Sequence, residues 1–244
     1  MDRKRLAIPL VAGLSLLLAG VPVALAVVQP PDVNPANFIP GQAINNSYLP
    51  LTVGTLFVYE GTTDGVPTHD ELCVTSQTRP PIEGVQVTVI HHRTFERVNN
   101  HLVLVEDTFD WHAQDIFGTV WYFGEDTTEF PSGSTEGSWE GGVDDADSGL
   151  FMLANPQVGN RYYQEFYRNV AEDQAKVLSR DESVCVQYGC FNNVLLTQET
   201  SRLDPGVLEY KYYARDKGFI LAVIVKGGDE RTELVSITPN SSCN

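Results

Sequence analysis

Short alternations of apolar and polar residues run along most of the chain from Leu49 onward. In Leu56–Glu60, β-forming residues recur at every second position, and turn-forming residues follow. A period of two is typical of strands that bury one face. The predicted strands are Leu56–Glu60, Glu71–Thr78, Val85–Val98, His101–Asp115, Thr119–Glu125, Arg161–Tyr167, Ser183–Val186, Phe191–Thr200, Val207–Ala214, Phe219–Lys226 and Thr232–Ile237. Many short strands joined by tight turns predict an all-β fold, an antiparallel meander that forms a curved sheet or a partly open barrel.

Two segments depart from this alternation. Residues 131–160 are rich in Gly and Asp and predict a long loop that carries Trp139. Asn169-Val-Ala-Glu172 has the form of a capping box, which predicts one short helix over 169–178. We expect a single β domain over 49–238, an extended leader over 27–48 and a C-terminal tail over 239–244.

The first 26 residues predict a secretory signal peptide. Basic residues at 3–5 precede an apolar run, Leu6–Gly20, and Ala24-Leu-Ala26 matches a cleavage site before Val27. A membrane anchor is the alternative, but a span needs about 20 apolar residues and this run is shorter. We therefore expect an exported protein, periplasmic or extracellular, with no membrane span.

The chain is strongly acidic. Its formal charge is −16, and loss of the predicted signal peptide removes three basic residues and one acidic residue, which leaves −18. Such a surface disfavours nucleic acid and anionic lipid as partners, because phosphates are repelled. Asp144, Asp145 and Asp147 are only weak candidates for a divalent cation, since the spacing of a calcium-binding loop is absent. No firm metal site and no cofactor are expected, and the oligomeric state stays open.

Four cysteines follow the predicted signal peptide. An even number in an exported chain favours two disulfides, for which three pairings are possible. Cys185 and Cys190 enclose only four residues, so a local bridge across a turn is expected. That bridge would leave Cys73 to pair with Cys243.

The segment 106–126 concentrates aromatic and acidic residues. Asp115-Ile-Phe-Gly118 matches a type I turn followed by a left-handed Gly, which predicts a three-residue hairpin loop. The resulting register pairs Ala113 with Trp121. It places Phe109, Trp111, Ala113, Trp121 and Phe123 on one face, and Asp110, His112, Gln114, Val120 and Tyr122 on the other.

Candidate chemistry lies at the end of this predicted hairpin. In the same register Asp107 and Glu125 point the same way as the aromatics, and desolvation would raise their pKa values as a general acid requires. The alternative is that both are hydrated or ion-paired at the rim of the sheet. His112 beside Asp110 suggests a base or a metal ligand, and the alternative is a solvated histidine on an exposed strand.

These motifs together resemble a family of exported bacterial β-proteins without an established reaction. The resemblance rests on Asn46-x-Tyr48-x-Pro50-Leu51-x-x-Gly54, on Glu106-Asp-Thr-x-Asp110-Trp-x-Ala113-Gln-Asp115-x-x-Gly118-x-Val120-Trp-Tyr-Phe-Gly-Glu125 and on Glu209-x-Lys211-Tyr-Tyr213. His112 and the Cys185/Cys190 pair depart from the family pattern. More distantly, the first and last motifs are similar to periplasmic half-barrels of the lipoprotein-carrier type, which implies binding of an apolar ligand in a curved sheet.

Three functions compete at this point. The favoured one is a non-catalytic binding module that recognises an apolar or glycan ligand. Its predicted contacts are Trp111, His112, Trp121, Tyr122 and Trp139. A glycoside hydrolase would use two carboxylates among Asp107, Asp110 and Glu125. An acidic structural or interaction protein is the third possibility.

Overall fold

The computed structural model describes residues 28–241. The predicted signal peptide, its cleavage site and Cys243 lie outside the described residues. The Cys73–Cys243 bridge therefore stays a prediction. The predicted bridge between Cys185 and Cys190 is present, where it joins the facing ends of two paired strands.

The predicted all-β class is confirmed. Apart from one turn of 3₁₀ helix at Pro35–Asn37, every regular element within 28–241 is a strand. The strands are β1 (Ile44–Asn46), β2 (Leu49–Leu51), β3 (Leu56–Thr63), β4 (Val66–Val74), β5 (Thr88–Val98), β6 (His101–Gln114), β7 (Val120–Glu129), β8 (Trp139–Glu140), β9 (Asp147–Met152), β10 (Arg161–Tyr163), β11 (Glu165–Phe166), β12 (Asp173–Val186), β13 (Gly189–Ser201), β14 (Leu208–Ala214), β15 (Gly218–Lys226) and β16 (Arg231–Thr238).

Fourteen of these strands form one antiparallel sheet that nearly closes into a barrel. Its order is β10-β12-β13-β14-β15-β16-β3-β4-β5-β6-β7-β9-β11, with β8 attached to β7. The two ends of this order are consecutive in the chain, because β10 pairs with β12 and β11 pairs with β9. Only Gln164 separates them, and its backbone N–H donates to the Asp173 carbonyl at 2.8 Å. The chain thus links both edges of the sheet.

The β1–β2 hairpin packs inside this curved sheet. Ile44, Tyr48, Leu49 and Leu51 are buried and belong to the main hydrophobic core. The described part of the predicted leader, residues 28–48, therefore contributes a strand and core side chains. Their Pro- and Asn-rich composition hides this role, because a three-residue strand is too short to show periodicity.

The predicted helix over 169–178 is wrong. Asn169 N–H does donate to Glu172 Oε1 at 2.9 Å, as in a capping box. However, Asn169 has a positive φ of 63°, and Tyr167 and Ala171 form a β-bridge around it. Pairing with β13 outweighs the local preference for a helix. Asp173–Val186 is a 14-residue strand, and Ala175 and Val177 are buried on one of its faces.

The predicted long loop over 131–160 is also partly wrong, because it contains β8 and β9. Glu125 pairs with Trp139, and Tyr122 pairs with Gly149. These pairings extend the sheet beyond β7. In the described part of the chain, no helix is long and apolar enough to cross a membrane.

Candidate functional site

The sheet encloses a cavity of about 440 Å³. Its walls come from β3–β6 and β14–β16, and the β1–β2 hairpin closes one end with Leu49, Pro50 and Leu51. The hairpin fits there because its own apolar residues complete the core of the barrel.

The cavity changes from polar to apolar along its length. On three strands the inward residues follow the same order, from the polar end to the apolar end: Thr68, Asp70, Leu72 on β4; Thr94, His92, Ile90 on β5; Glu209, Lys211, Tyr213 on β14. The apolar end lies beside the β1–β2 hairpin and also contains Phe57 and Phe219. One end can therefore hold an apolar group while the other offers charges and hydroxyls.

Asp70 and His92 form the centre of the polar end. Thr94 Oγ1 donates to Asp70 Oδ1 at 2.7 Å, and His92 Nε2 lies 3.7 Å from the same oxygen. Burial alone would lower the pKa of His92. The hydrogen bond to Asp70 and the charges of Asp110, Asp70 and Glu106 outweigh burial and raise it to about 9. His92 is thus an imidazolium at neutral pH.

Lys211 is the second cation of the cavity. Its Nζ lies 2.9 Å from Glu199 and 3.2 Å from Glu209. Burial acts to lower the pKa of Lys211, but these carboxylates hold it well above its usual range. Lys211 is therefore charged and already neutralised by two acids.

A second carboxyl cluster lies on the inner face of the β6–β7 hairpin. Tyr122 Oη is 2.6 Å from Asp110 Oδ1 and 3.0 Å from Glu125 Oε2. A phenol donates only one proton, so the second contact requires a protonated carboxyl group as donor. Burial and the charge of Asp110 raise the pKa of Glu125 to about 8. Glu125 therefore donates to Tyr122, and Tyr122 donates to the Asp110 carboxylate.

The structure places the predicted ligand contacts on opposite faces of the sheet. Trp111 and Trp121 face outward and are buried under a covering layer that includes Phe38 and Ile82. Their polar neighbour His112 faces inward and lines the cavity. The apolar face of the hairpin is therefore not the wall of a ligand-binding cup, because residues from 33–38 and 82–89 already cover it.

His112 is not a solvated histidine on an exposed strand. It is buried, stacks on Tyr122 at 4.6 Å, and its Nδ1 lies 3.2 Å from the Trp121 carbonyl oxygen. Burial lowers its pKa to about 4 despite the charge of Asp110. A neutral ring that donates through Nδ1 to this carbonyl fits the geometry.

Trp139 is not an exposed loop residue. It is 4% exposed, meets Tyr122 edge to face at 5.4 Å, and donates from Nε1 to Glu165 Oε2 at 3.1 Å. Tyr122 is likewise buried and does not line the cavity. Both belong to a small core cluster with Ala146 and Ala171.

The predicted hairpin register is confirmed near the turn and shifted beyond it. Ala113 pairs with Trp121 as predicted. A bulge at Gly124 then moves Glu125 opposite Asp110, on the inner face instead of beside the outer aromatics. Asp107 does lie on the aromatic face, where it contacts His91. The predicted carboxylates therefore do not all meet.

The acidic turn at 144–147 holds no evident metal site. Asp144 and Asp145 occupy left-handed turn positions, and Asp147 begins β9. Across residues 28–241 no three His, Cys, Asp or Glu side chains are grouped as ligands of a metal ion.

Sequence reasoning missed Thr68, Asp70, His92, Glu209 and Lys211. Their signal was present as polar residues in phase with buried apolar ones, as in Thr68-x-Asp70-x-Leu72. Such a pattern predicts a polar group inside the sheet only once the buried face is known.

No protein-family model and no curated protein sequence matches the chain. Among solved structures, it is similar to a protein from Bacteroides fragilis described as exported, with a YmcC-like fold. That similarity has a TM-score of 0.45 and 13% identity over 81% of this chain and 100% of the other. A protein from Parabacteroides distasonis described as a lipoprotein gives a TM-score of 0.44 and 14% identity over 79% and 99%.

Proposed function

We propose that the protein is an exported, non-catalytic binding protein that holds a small amphipathic molecule inside its curved sheet. The observation that carries this proposal is the cavity of about 440 Å³ with one apolar and one polar end. Cavities of roughly 300–1,000 Å³ with a few convergent polar groups are typical of small-molecule sites.

The apolar end supports a ligand with a hydrocarbon portion rather than a glycan. Leu72, Ile90 and Phe219 offer no hydrogen bonds there. A sugar in contact with them would leave its hydroxyl groups unpaired, which costs free energy. A hydrocarbon chain loses nothing in the same place and gains from leaving water.

Export is supported by the signal-peptide pattern and by the disulfide between Cys185 and Cys190. Disulfides form and persist mainly in oxidising compartments. The ligand is therefore expected to be a molecule present outside the cytoplasm.

The arrangement supports hydrolysis of a sugar less well than binding. Two carboxyl groups must flank the scissile bond in such an enzyme. Here Asp107 faces outward, Asp110 lines the cavity, and Glu125 lies beside it, hydrogen-bonded to Tyr122. Of the three predicted catalytic carboxyl groups, only that of Asp110 lines the cavity.

Filling the cavity tests the proposal directly. Ala222 is 3% exposed and lines the cavity, so Ala222→Phe inserts a ring into it without altering charge. We expect the native protein to enhance the fluorescence of N-phenyl-1-naphthylamine on binding and the variant to bind this dye at least about tenfold more weakly.

Val225→Phe is the matched control. Val225 lies on the same strand but is 46% exposed, so the same ring adds bulk outside the cavity. This variant should bind the dye like the native protein. Equal loss in both variants, or no loss in Ala222→Phe, contradicts binding in the cavity.

A further inference from the structure

We infer that the cavity selects a ligand whose polar end is a cation, such as a protonated amine attached to an apolar chain. This inference rests on the proposed function and specifies the chemistry of its ligand. It depends on the charge balance of the polar end and on one hydroxyl group there that has no partner.

The cavity carries an excess of negative charge. Five carboxyl groups line it, against the two cations His92 and Lys211. Lys211 is shared between Glu199 and Glu209, and His92 lies nearest to Asp70. The cavity carboxyl groups that form no ion pair within the described residues are Glu106, Asp110 and Glu230.

The second observation is the Thr68 hydroxyl. Thr68 is 4% exposed and lines the cavity, and Oγ1 has no hydrogen-bond partner in residues 28–241. A buried hydroxyl group without a partner loses the hydrogen bonds that it made to water. A ligand that donates a proton to Oγ1 would restore one of them.

A second hydroxyl group lies close to that of Thr68. Gly61 lies directly across from Thr68 in the β3–β4 ladder and also faces Thr232 on β16. A Cβ on Gly61 would lie 2.3 Å from the Arg231 carbonyl oxygen, 2.9 Å from Thr232 Oγ1 and 3.0 Å from Thr68 Oγ1. The absence of a side chain at Gly61 therefore lets β16 approach closely and brings together two hydroxyl groups that both line the cavity and can both accept hydrogen bonds.

Carboxyl groups give this cavity a negative potential. Glu106 and Glu230 line the same cavity as Thr68, and Glu106 lies opposite Thr94 on β5. Burial and the charges of Glu209, Asp70 and Asp64 raise the pKa of Glu230, although the charge of Lys211 acts in the opposite direction. An ammonium group would relieve this repulsion and donate up to three hydrogen bonds.

The shape of the cavity favours an organic cation over a metal ion. The acids line a volume of about 440 Å³, and within 28–241 no three potential ligands converge. A metal ion requires convergence at about 2–2.6 Å from each ligand atom, whereas an ammonium group binds at ordinary hydrogen-bond distances. The apolar end then accommodates the attached chain.

Three probes that share one chain length test this inference: decylamine, 1-decanol and decanoate, each below its micelle concentration at pH 7 and low salt. Affinities follow from displacement of N-phenyl-1-naphthylamine. We expect decylamine to bind at least about tenfold more tightly than 1-decanol, and decanoate to bind most weakly.

A charge-removing variant locates the cation. Glu106→Gln combined with Glu230→Gln should weaken decylamine binding about tenfold and leave 1-decanol unchanged, because both side chains keep their size. Glu233→Gln is the control, since Glu233 lies outside the cavity and pairs with Arg231. It should change neither affinity.

The possible failures are distinct. If 1-decanol or decanoate binds as well as decylamine, the cation inference is overturned and the proposed function stands. If the double variant keeps full preference for decylamine, the placement of the cation beside Glu106 and Glu230 is overturned. If none of the three probes displaces the dye, the proposed function itself fails. The comparison of probes on the native protein remains decisive even if the double variant does not fold.

Discussion

At the scale of single residues, burial sets the protonation of the inner face more than sequence neighbours do. Glu125 and His112 are near one another in the hairpin, yet burial raises the pKa of Glu125 to about 8 and lowers that of His112 to about 4. Both groups are therefore uncharged at neutral pH. The sequence could place an acid and a histidine in this hairpin, but not show that water is excluded from both.

The protonated state of Glu125 predicts how stability depends on pH. Between pH 4.5 and about 8 the folded protein keeps the Glu125 proton and the unfolded chain loses it, so stability falls as pH rises through this window. The shift corresponds to an effect of about 5 kcal/mol at most. His92 acts in the same direction, because its stabilisation is complete below 6.5 and is lost as pH rises through about 9.

Glu125→Gln should flatten this dependence, since the amide still donates to Tyr122 and does not ionise. Urea denaturation at pH 5 and pH 8 measures the effect: the native protein should lose more stability than the variant. Glu233→Gln, on the outer face, should keep the native dependence. A Glu125→Gln variant with the native slope would mean that Glu125 is ionised in the folded protein.

Among strands and turns, the turn of the β6–β7 hairpin was predictable from its own residues, but the strand register beyond the bulge was not. The turn at Asp115–Gly118 follows from its own residues: Asp115 Oδ1 accepts from Phe117 and Thr119 N–H groups, both at 2.9 Å. The bulge at Gly124 depends instead on β8, which is distant in sequence. The predicted pairing of Trp121 with Ala113 is therefore correct, whereas Glu125 lies on the opposite face from the predicted one.

Gly124 should be the least replaceable glycine of this hairpin. Its φ is 125°, and an added Cβ would lie 2.2 Å from the Trp139 carbonyl oxygen. Gly133 also has a positive φ, 70°, but nothing lies within 4 Å of an added Cβ. Gly124→Ala should therefore destabilise the protein by more than Gly133→Ala, where backbone strain alone costs about 1–3 kcal/mol. Equal midpoints in urea would contradict the close approach of β8.

At the scale of the whole molecule, alternation predicted that the sheet has two different faces, but not which one is inside. An apolar face normally lines the core, so the aromatic face of the hairpin looked like the inner one. Here a separate covering layer buries Trp111 and Trp121 from outside, and the polar face turns inward. The alternation of Val85, Val87 and Val89 in the covering segment predicts a buried face, but not the residues against which that face packs.

Closure of the sheet also depends on distant parts of the chain. Residues 161–166 pair with β12 at one edge of the sheet and with β9 at the other. The β1–β2 hairpin closes the apolar end of the cavity. None of these contacts is local, so the sequence supported a curved sheet or a partly open barrel without fixing its degree of closure.

We propose that the ligand binds to the inner face of the sheet and not to its aromatic outer face. Methyl NMR during a decylamine titration distinguishes the two faces, because both carry methyl groups of aliphatic side chains whose signals can be followed. We expect the methyl signals of Leu72 and Ile90 in the cavity to shift and those of Ile82 and Val85 under the covering layer to stay unchanged. Shifts confined to Ile82 and Val85, with Leu72 and Ile90 unchanged at saturation, would contradict it.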